Sequence, residues 1–425
     1  MAALLVVLAF GLVFAACGGD DKDSSTTAPP DTTPTTAPDT TAPPTTGPAS
    51  SDTTVVTTGE PTETLRIGAI LSLSDWYSVV DAADKVDLEY LAEIINEEGG
   101  IKAGGKAYKI ELVIEDGKSS LDGNTAAATK LVLDEKVQFV IGPGAFFNVA
   151  TSPILEQAQV LHVACYNGMQ PGEMGPQTPY EFLGMDPINQ QSAALKAIKE
   201  YYPDVKTICM ATEDATYPAF ETAFKDLVTR SGLTLSGDPV LFATNAEDYN
   251  PTAAKIKAQN PDAVWMPIGI LPSFAGVVKG LRTLGYTGPI VCPADAEQLI
   301  GITGVEAATD LVLVLNKDIT DSGQTEIYKQ LVAKGDPNRE MYGLAPNALY
   351  MLKFAIEAAD SIDPTAVKAK WETLSTIPTL FGDGFPTGAQ LFGMANHAWA
   401  YPVPVSLVMN GKVELKPWIS PDPTP

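Results

Sequence analysis

Short apolar runs alternate with amphipathic segments along most of the chain. The run from Leu65 to Leu73 is apolar enough for a buried strand, and the segment from Val86 to Ile95 repeats its apolar residues at helical spacing. Further strands are predicted at Lys109–Glu115, Val137–Gly142 and Val160–Ala164, with helices over Asn124–Leu133 and up to about Gln157. Apolar strands separated by amphipathic helices indicate a parallel sheet that is covered on both faces.

The same alternation restarts after Pro187. Strands are predicted at Lys206–Ala211, Pro239–Phe242, Ala263–Ile268, Pro289–Cys292 and Leu311–Leu315, with helices at Gln190–Tyr201, Pro218–Arg230, Ala253–Gln259 and Pro272–Leu284. Helical stretches then follow at Thr325–Ala333, Leu344–Ser361 and Pro364–Leu374, and Tyr401–Val408 is strand-like. A folded part of about 360 residues is too long for one core, so we expect two α/β lobes.

Residues 1–16 form an apolar leader in which two small residues, Ala15 and Ala16, precede Cys17. The leader is too short to span a bilayer and predicts a cleaved signal peptide, although no basic residue precedes it. It resembles the leaders of bacterial lipoproteins, which implies that Cys17 becomes the first mature residue and carries lipid. The alternative is an ordinary signal peptide followed by an incidental cysteine.

A Thr- and Pro-rich segment follows the leader. From Ser24 to Thr58 the chain repeats variants of D-T-T and T-A-P-P, and Val55 and Val56 are its only large apolar residues. Such a composition buries too little surface to fold. We therefore expect residues 17–63 to be a disordered tether that holds the folded part away from the membrane.

The formal net charge of the chain is -25. This charge argues against a nucleic acid partner and against docking on anionic lipid, and solubility outside the cell explains it most simply. Cys165, Cys209 and Cys292 each lie in or beside an apolar run, which predicts buried thiols, with one disulfide pair as the alternative.

The sequence carries no motif of a cofactor, metal or catalytic site. Its two histidines, His162 and His397, lie far apart without ligand spacing, and no C-x-x-C, H-E-x-x-H, Walker or G-x-S-x-G motif occurs. Gly142-Pro143-Gly144 lacks the third glycine of a dinucleotide fingerprint. We expect no cofactor and no enzyme activity. A secreted hydrolase that uses a pair of carboxylates is the remote alternative.

Several motifs occur in an order typical of one family. They are I-N-E-E-G-G-I-K-A-G-G-K from Ile95, a strand ending Glu115-Asp116, V-I-G-P-G from Val140, V-V-K-G-L-R-T-L-G-Y from Val277 and A-L-Y-M-L from Ala348. Over residues 65–413 the chain thus resembles the extracellular solute-binding proteins of branched-chain amino acid ABC importers. These are the leucine/isoleucine/valine-binding, type I periplasmic binding proteins.

The resemblance implies two doubly wound, Rossmann-like α/β lobes joined by three crossovers, which we expect near Met185, Leu315 and Thr379. The solute would lie between the lobes, at loops that follow the carboxyl ends of the strands. The expected first lobe comprises residues 64–185 and 316–378, and the second comprises 186–315 and 379–420.

The resemblance also places candidate ligand contacts on the first lobe. The family has a hydroxyl-rich loop after the Val137–Gly142 strand, where this chain has Phe146, Phe147 and Asn148. The two phenylalanines favour an apolar or aromatic ligand, and packing in the core is their alternative role. Tyr166 and Asn167 are the candidate contacts of the next loop.

Further candidates flank these loops. Trp76 and Tyr77 follow the first strand, where the family often has an aromatic lid, and packing is again the alternative. On the second lobe, Tyr217 occupies the position of a tyrosine that closes over the ligand. Asp295 is either the counter-ion of a ligand ammonium or a helix N-cap.

The resemblance implies a binding protein that captures a small solute, such as an amino acid, an amide or an aromatic compound. It would deliver that solute to an ABC permease without chemistry. We expect a monomer on the outer face of the bacterial membrane, anchored through Cys17. The alternative is a ligand sensor that acts on a separate signalling partner.

Overall fold

The computed structural model describes residues 61, 63–144, 147–165, 173–244, 246–314, 325–335 and 343–421. The predicted leader, Cys17 and nearly all of the predicted tether lie outside this part of the chain. The described residues belong to one compact unit, Thr57–Pro425. No helix among them combines the length and the apolar character needed to cross a bilayer.

Strands and helices alternate as the sequence predicts. The strands are β1 (Glu63–Leu71), β2 (Ile101–Ala103), β3 (Lys106–Asp116), β4 (Phe139–Ile141), β5 (Leu161–Ala164), β6 (Glu181–Leu183), β7 (Thr207–Glu213), β8 (Thr234–Leu235), β9 (Val240–Phe242), β10 (Ala263–Trp265), β11 (Ile290–Cys292), β12 (Leu311–Leu313), β13 (Ile377–Thr379), β14 (Gly382–Thr387), β15 (Ala398–Ala400), β16 (Val403–Met409) and β17 (Lys412–Ile419). The helices are α1 (Ser78–Glu97), α2 (Leu121–Leu133), α3 (Asn148–Gln157), α4 (Pro187–Tyr201), α5 (Tyr217–Arg230), α6 (Asn250–Ala258), α7 (Leu271–Thr283), α8 (Ala296–Thr303), α9 (Glu326–Ala333), α10 (Leu344–Ala359), α11 (Pro364–Trp371) and α12 (Ala389–Phe392).

Two sheets organise these elements into two lobes. The first sheet has nine strands in the order β13-β14-β15-β6-β5-β4-β1-β3-β2. The second sheet has eight strands, with the path β17-β16-β12-β11-β10-β7-β8 and with β9 paired to β7. The central strands of both sheets pair in parallel, and helices cover them, which confirms the predicted pair of α/β lobes.

The I-N-x-x-G-G-I motif ends α1 and attaches it to the first sheet. The Asn96 side chain donates a hydrogen bond to the Ile110 carbonyl at 3.0 Å and accepts one from the Ile110 amide at 2.7 Å. Gly100 has a φ of 72°, and a Cβ on it would lie 2.2 Å from the Tyr108 carbonyl oxygen. Only glycine fits there, because a side chain would collide with the neighbouring strand.

The chain passes between the two sheets three times, as expected, but the third passage lies at a different position from the one predicted. The first passage follows β6, at the position expected near Met185. The second follows β12, and its expected centre, Leu315, lies outside the described residues. The third lies between β15 and β16, later in the chain than the position near Thr379 that we expected.

The reason is an unpredicted extension of the first sheet by β13, β14 and β15, which are antiparallel to one another and join β6 through a parallel pair with β15. In this extension Phe385 pairs with Ala400, and Ala398 pairs with Leu183 of β6. The sequence G-D-G-F-P-T of β14 carries two glycines and a proline, so it lacks the apolar run that identified the other strands.

A buried carboxylate joins the first and third passages. Asp186 accepts hydrogen bonds from the Ile188 amide at 2.8 Å, as the N-cap of α4, and from the Thr387 hydroxyl at 2.6 Å. The Asp186 amide donates to the Trp399 carbonyl at 3.2 Å. Segments that are distant in the sequence are therefore held together where the chain changes lobes.

The described cysteines, Cys165, Cys209 and Cys292, are free and buried. This confirms the prediction of buried thiols and leaves no disulfide among them.

Thr387→Val removes the hydroxyl that bonds to Asp186 and leaves a buried carboxylate short of one donor. We expect a loss of about 1 to 3 kcal/mol in the free energy of unfolding, measured by urea titration. Thr125→Val is the matched control, because the Thr125 hydroxyl bonds to the Leu121 carbonyl on an exposed helix face. Equal stabilities of the two variants would contradict this role of Thr387.

Candidate ligand-binding site

The loop that follows β1, Ser72–Tyr77, is held by the end of β3. Asp116 accepts hydrogen bonds from the Leu73 amide at 2.9 Å and from the Ser74 hydroxyl at 2.8 Å. Partial burial opposes ionisation, but these hydrogen bonds and one from the Lys118 amide outweigh it and lower the pKa of Asp116. The polar strand end that the sequence singled out therefore positions the neighbouring loop.

Ser119 positions the two aromatic residues of that loop. Its hydroxyl accepts a hydrogen bond from the Tyr77 amide at 3.0 Å and donates one to the Ser74 carbonyl at 2.6 Å. The Trp76 indole donates to the Ser119 carbonyl at 3.2 Å. Trp76 and Tyr77 are thus fixed at the carboxyl edge of the first sheet.

Three of the predicted aromatic contacts form one cluster. The ring centroids of Trp76 and Tyr77 lie 5.3 Å apart, and each lies 6.2 Å from the centroid of Phe147. Phe147 is buried, whereas Trp76 is 60% exposed. Phe147 therefore has the packing role in this structure, where it also supports the exposed ring, and its role as a ligand contact stays a prediction.

The loop between β4 and α3 approaches this cluster closely. Gly142 has a φ of 87°, and a Cβ on it would lie 2.3 Å from the Ile70 carbonyl oxygen. A Cβ on Gly144 would lie 3.5 Å from the Tyr77 hydroxyl oxygen and 3.7 Å from Asp81 Oδ1. Tyr77 and Asp81 therefore face the same glycine.

Asp81 was not predicted as a site residue. Its side chain is 3% exposed, and Oδ2 accepts a hydrogen bond from the Ser72 amide at 2.6 Å. Burial raises the pKa of Asp81 to about 7, because a charged carboxylate loses hydration inside the lobe.

Asp84 lies one turn further along α1 and is also buried. It accepts hydrogen bonds from the amides of Leu344 and Ala345, the first residues of α10, at 3.3 and 2.8 Å. Burial, together with the nearby carboxylates of Asp81 and Asp87, raises the pKa of Asp84 to about 8. The i, i+3, i+6 spacing of these aspartates, on the buried face of α1, is the signal that the sequence analysis overlooked.

Asn148, a predicted contact, is the first residue of α3. Its side chain is fully buried, and neither polar atom of its amide has a hydrogen-bond partner among the residues that the structure describes. A buried amide without partners is uncommon in folded proteins. Its place beside the Gly142–Phe147 loop is consistent with the predicted role.

The second sheet presents Tyr217 and Asp295 near its carboxyl edge. Tyr217 begins α5, and its ring is 6% exposed within the core of the second lobe. Asp295 is the N-cap of α8, where Oδ1 accepts a hydrogen bond from the Gln298 amide at 2.8 Å. Of its two predicted roles, Asp295 has the N-cap role in this structure, and the counter-ion role stays a prediction.

Glu213, the last residue of β7, is a further buried acid at this edge that was not predicted. Its side chain is 7% exposed, and Oε1 has no hydrogen-bond partner. Burial raises the pKa of Glu213, and the Thr244 hydroxyl offsets part of that rise.

The remaining predicted contacts, Phe146, Tyr166 and Asn167, lie outside the described residues.

A family model described as Periplasmic binding protein matches residues 64–401. The chain belongs to the periplasmic binding protein family. Solved structures of the same fold include a branched-chain amino acid transporter substrate-binding protein and an ABC transporter substrate-binding protein.

Three solved structures illustrate the likeness of this periplasmic binding protein to others. The leucine-binding protein LivK of Thermotoga maritima is 23% identical, with a TM-score of 0.61 over 84% of this chain and 99% of its own. LivJ of Streptococcus pneumoniae, solved with isoleucine, is 19% identical and has a TM-score of 0.64. The match covers 84% of this chain and 100% of LivJ. A solute-binding protein of Rhodopseudomonas palustris HaA2, solved with p-hydroxybenzoic acid, is 19% identical and has a TM-score of 0.65. The match covers 85% of this chain and 97% of that protein. These likenesses confirm the predicted type I fold.

The buried aspartates make the stability of this periplasmic binding protein depend on pH. Asp81 and Asp84 bind protons more tightly in the folded chain than at their ordinary pKa of 3.8. The folded state therefore loses stability as pH rises from about 4 to about 8, the interval between these pKa values. We expect the melting temperature, measured by calorimetry, to be higher at pH 5 than at pH 8.

Asp84→Asn removes one titrating group but keeps a side-chain oxygen that can accept the hydrogen bond from the Ala345 amide. We expect this variant to lose less stability than the parent between pH 6 and pH 8. The exposed Asp134→Asn is the control and should follow the parent. An identical pH profile for all three proteins would contradict the buried, proton-binding state of Asp84.

Proposed function

We propose that this protein captures a small solute between its two lobes outside the cell and delivers it, chemically unchanged, to an ABC permease. The family assignment supports solute binding, and an open α/β sheet binds ligands at the carboxyl ends of its strands. The observation that carries the proposal is the convergence of Asp81, Tyr77, Phe147 and the backbone of Gly144 at that edge of the first sheet.

The proposed binding mode uses both lobes. The first lobe offers the aromatic cluster, the amide of Asn148 and the loop that contains Phe146, with Tyr166 and Asn167 beyond β5. Tyr217 and Asp295 are the proposed partners on the second lobe. Closure of the lobes would cover the exposed ring of Trp76 and complete the enclosure of the solute.

The proposed location is the outer face of the bacterial membrane. The apolar leader, the small residues before Cys17 and the Thr- and Pro-rich segment together support export, lipidation and tethering. A tether of this kind keeps the binding unit near its permease and leaves the two lobes free to close.

A thermal-shift screen tests solute capture. Members of a library of amino acids, amides, amines and aromatic acids should raise the melting temperature of the purified protein, because a ligand bound only by the folded state stabilises that state. A screen in which no compound class raises the melting temperature would contradict solute capture.

Trp76→Ala tests the position of the site once a ligand is found. We expect the variant to bind that ligand about 1 to 2 kcal/mol more weakly by calorimetry, the scale of one aromatic contact. Its melting temperature without ligand should change little, because the ring is mostly exposed. Leu133→Ala is the matched control, since Leu133 is 64% exposed at the far end of α2. If both variants bound the ligand with equal affinity, Trp76 would not be a ligand contact.

Cys17→Ser tests the lipid anchor. In a bacterial host that processes lipoproteins, the parent should partition into detergent and the variant into water, because only the parent offers a thiol for lipidation. Ser24→Ala, also in the segment after the leader, is the control and should partition like the parent. Detergent partitioning of the Cys17→Ser variant would contradict the anchor.

A further inference from the structure

The chemical class of the solute follows from the charges at the site, given the proposed function on which this inference rests. We propose that the solute is a cation that carries an amine or a quaternary ammonium group. Its charge lies between the carboxylate of Asp81 and the rings of Trp76, Tyr77 and Phe147, and Glu213 supplies a second carboxylate from the other lobe.

Asp81 has one oxygen to spare for a ligand. Oδ2 accepts the hydrogen bond from Ser72, whereas Oδ1 accepts none from the described residues and faces Gly144. A carboxylate that is 97% buried is costly to ionise without a second partner, and a ligand cation supplies that partner. The carboxylate therefore favours a positively charged group in the space beside Gly144.

The aromatic cluster provides the second contact that a cation needs. Ring faces attract positive charge, and clustered rings are the usual receptors of quaternary ammonium ions. Trp76, Tyr77 and Phe147 lie within 6.2 Å of one another, and Tyr77 faces the same glycine as Asp81. Because the aromatic rings and the Asp81 carboxylate lie at the same place, the site should bind a cation more tightly than a neutral apolar compound.

Two further buried polar groups point to a ligand at these edges. Glu213 ends β7 at the carboxyl edge of the second sheet, and its Oε1 is buried without a hydrogen-bond partner. The fully buried amide of Asn148, beside the aromatic cluster, also lacks partners. Each group would gain a hydrogen bond from an amine or hydroxyl of the bound solute.

The described residues of the loops at the two edges carry more acidic than basic side chains. Within their described residues, Lys118 is the only basic side chain. The acidic side chains there are Asp75, Asp186, Asp214, Glu247, Asp248 and Asp295. The loop after β4 also lacks the hydroxyls that hold a ligand carboxylate in the family. A solute with a net negative charge is therefore disfavoured on both lobes.

The protonation of Asp81 should make the affinity for a cationic solute depend on pH, which provides a second test. Its titratable neighbours are Asp84, Asp116 and Cys165. Burial raises the pKa of the Cys165 thiol, so it stays neutral, and hydrogen bonds lower the pKa of Asp116, so it stays ionised. Because a cation binds the ionised form of Asp81, its affinity should increase from pH 6 to pH 8.

The test compares charged probes with neutral isosteres by calorimetry on the purified protein. Choline and tyramine are the cationic probes, and 3,3-dimethylbutan-1-ol and 4-ethylphenol are their neutral counterparts. Isoleucine and 4-hydroxybenzoate represent the zwitterionic and anionic classes. We expect at least one cationic probe to bind, and to bind more tightly at pH 8 than at pH 6, while its neutral counterpart binds at least tenfold more weakly.

Asp81→Asn keeps an acceptor for the Ser72 amide and removes the charge. We expect it to weaken binding of the cationic probe by about 30-fold or more, the effect of removing one partner of a buried charge pair. Glu213→Gln should weaken binding as well, and the exposed Asp134→Asn should not. The melting temperature of each unliganded variant shows whether it is folded.

The outcomes separate this inference from the proposed function. Binding of isoleucine or 4-hydroxybenzoate, with no binding of either cation, would overturn the cationic class and leave solute capture intact. Equal binding of a cation by the parent and by a folded Asp81→Asn variant would overturn the role of Asp81. If no probe of any class binds, and the library screen is also negative, both proposals fail.

Discussion

The buried carboxylates of α1 are the constraint on which the first lobe depends. Asp84 accepts the first amides of α10, the helix that follows the second passage between the lobes, and Asp81 accepts the amide of Ser72 after β1. A carboxylate inside a protein loses its hydration and is retained only where hydrogen bonds or an opposite charge compensate. Asp84 has such donors in the fold, whereas Asp81 has one oxygen left over at the site.

Parallel sheets determine where the rest of the site lies. The carboxyl ends of β1, β3 and β4 meet at one edge, so their loops support one another. Asp116 and Ser119 fix the loop that carries Trp76 and Tyr77, and the glycines after β4 allow close approach to it. An exposed indole is thus held in place by a hydrogen-bonded network beneath it.

The sequence predicted the fold well because apolar runs and helical spacing report burial directly. It failed at β13–β15: glycine and proline interrupt the apolar pattern of β14, β13 and β15 are only three residues long, and pairing of β15 with β6 attaches them to the sheet. The resemblance named Trp76, Tyr77 and Phe147 as candidate site residues, since they follow strands, and the structure brings their rings together. Asp81 could have been found from the i, i+3, i+6 spacing of the aspartates on α1. Glu213 could not, because the burial of a single acidic residue depends on what packs against it, which one sequence does not show. Asp295 illustrates the converse, as the same position suits an N-cap and a counter-ion.

A crystal structure with a solute that raises the melting temperature tests the account most directly. The account predicts that the solute lies between the carboxyl edges of the two sheets, with a positively charged nitrogen about 3 to 4 Å from Asp81 Oδ1 and within about 6 Å of an aromatic ring centroid. A solute bound elsewhere, or one between the lobes whose negative group faces Asp81, would contradict it.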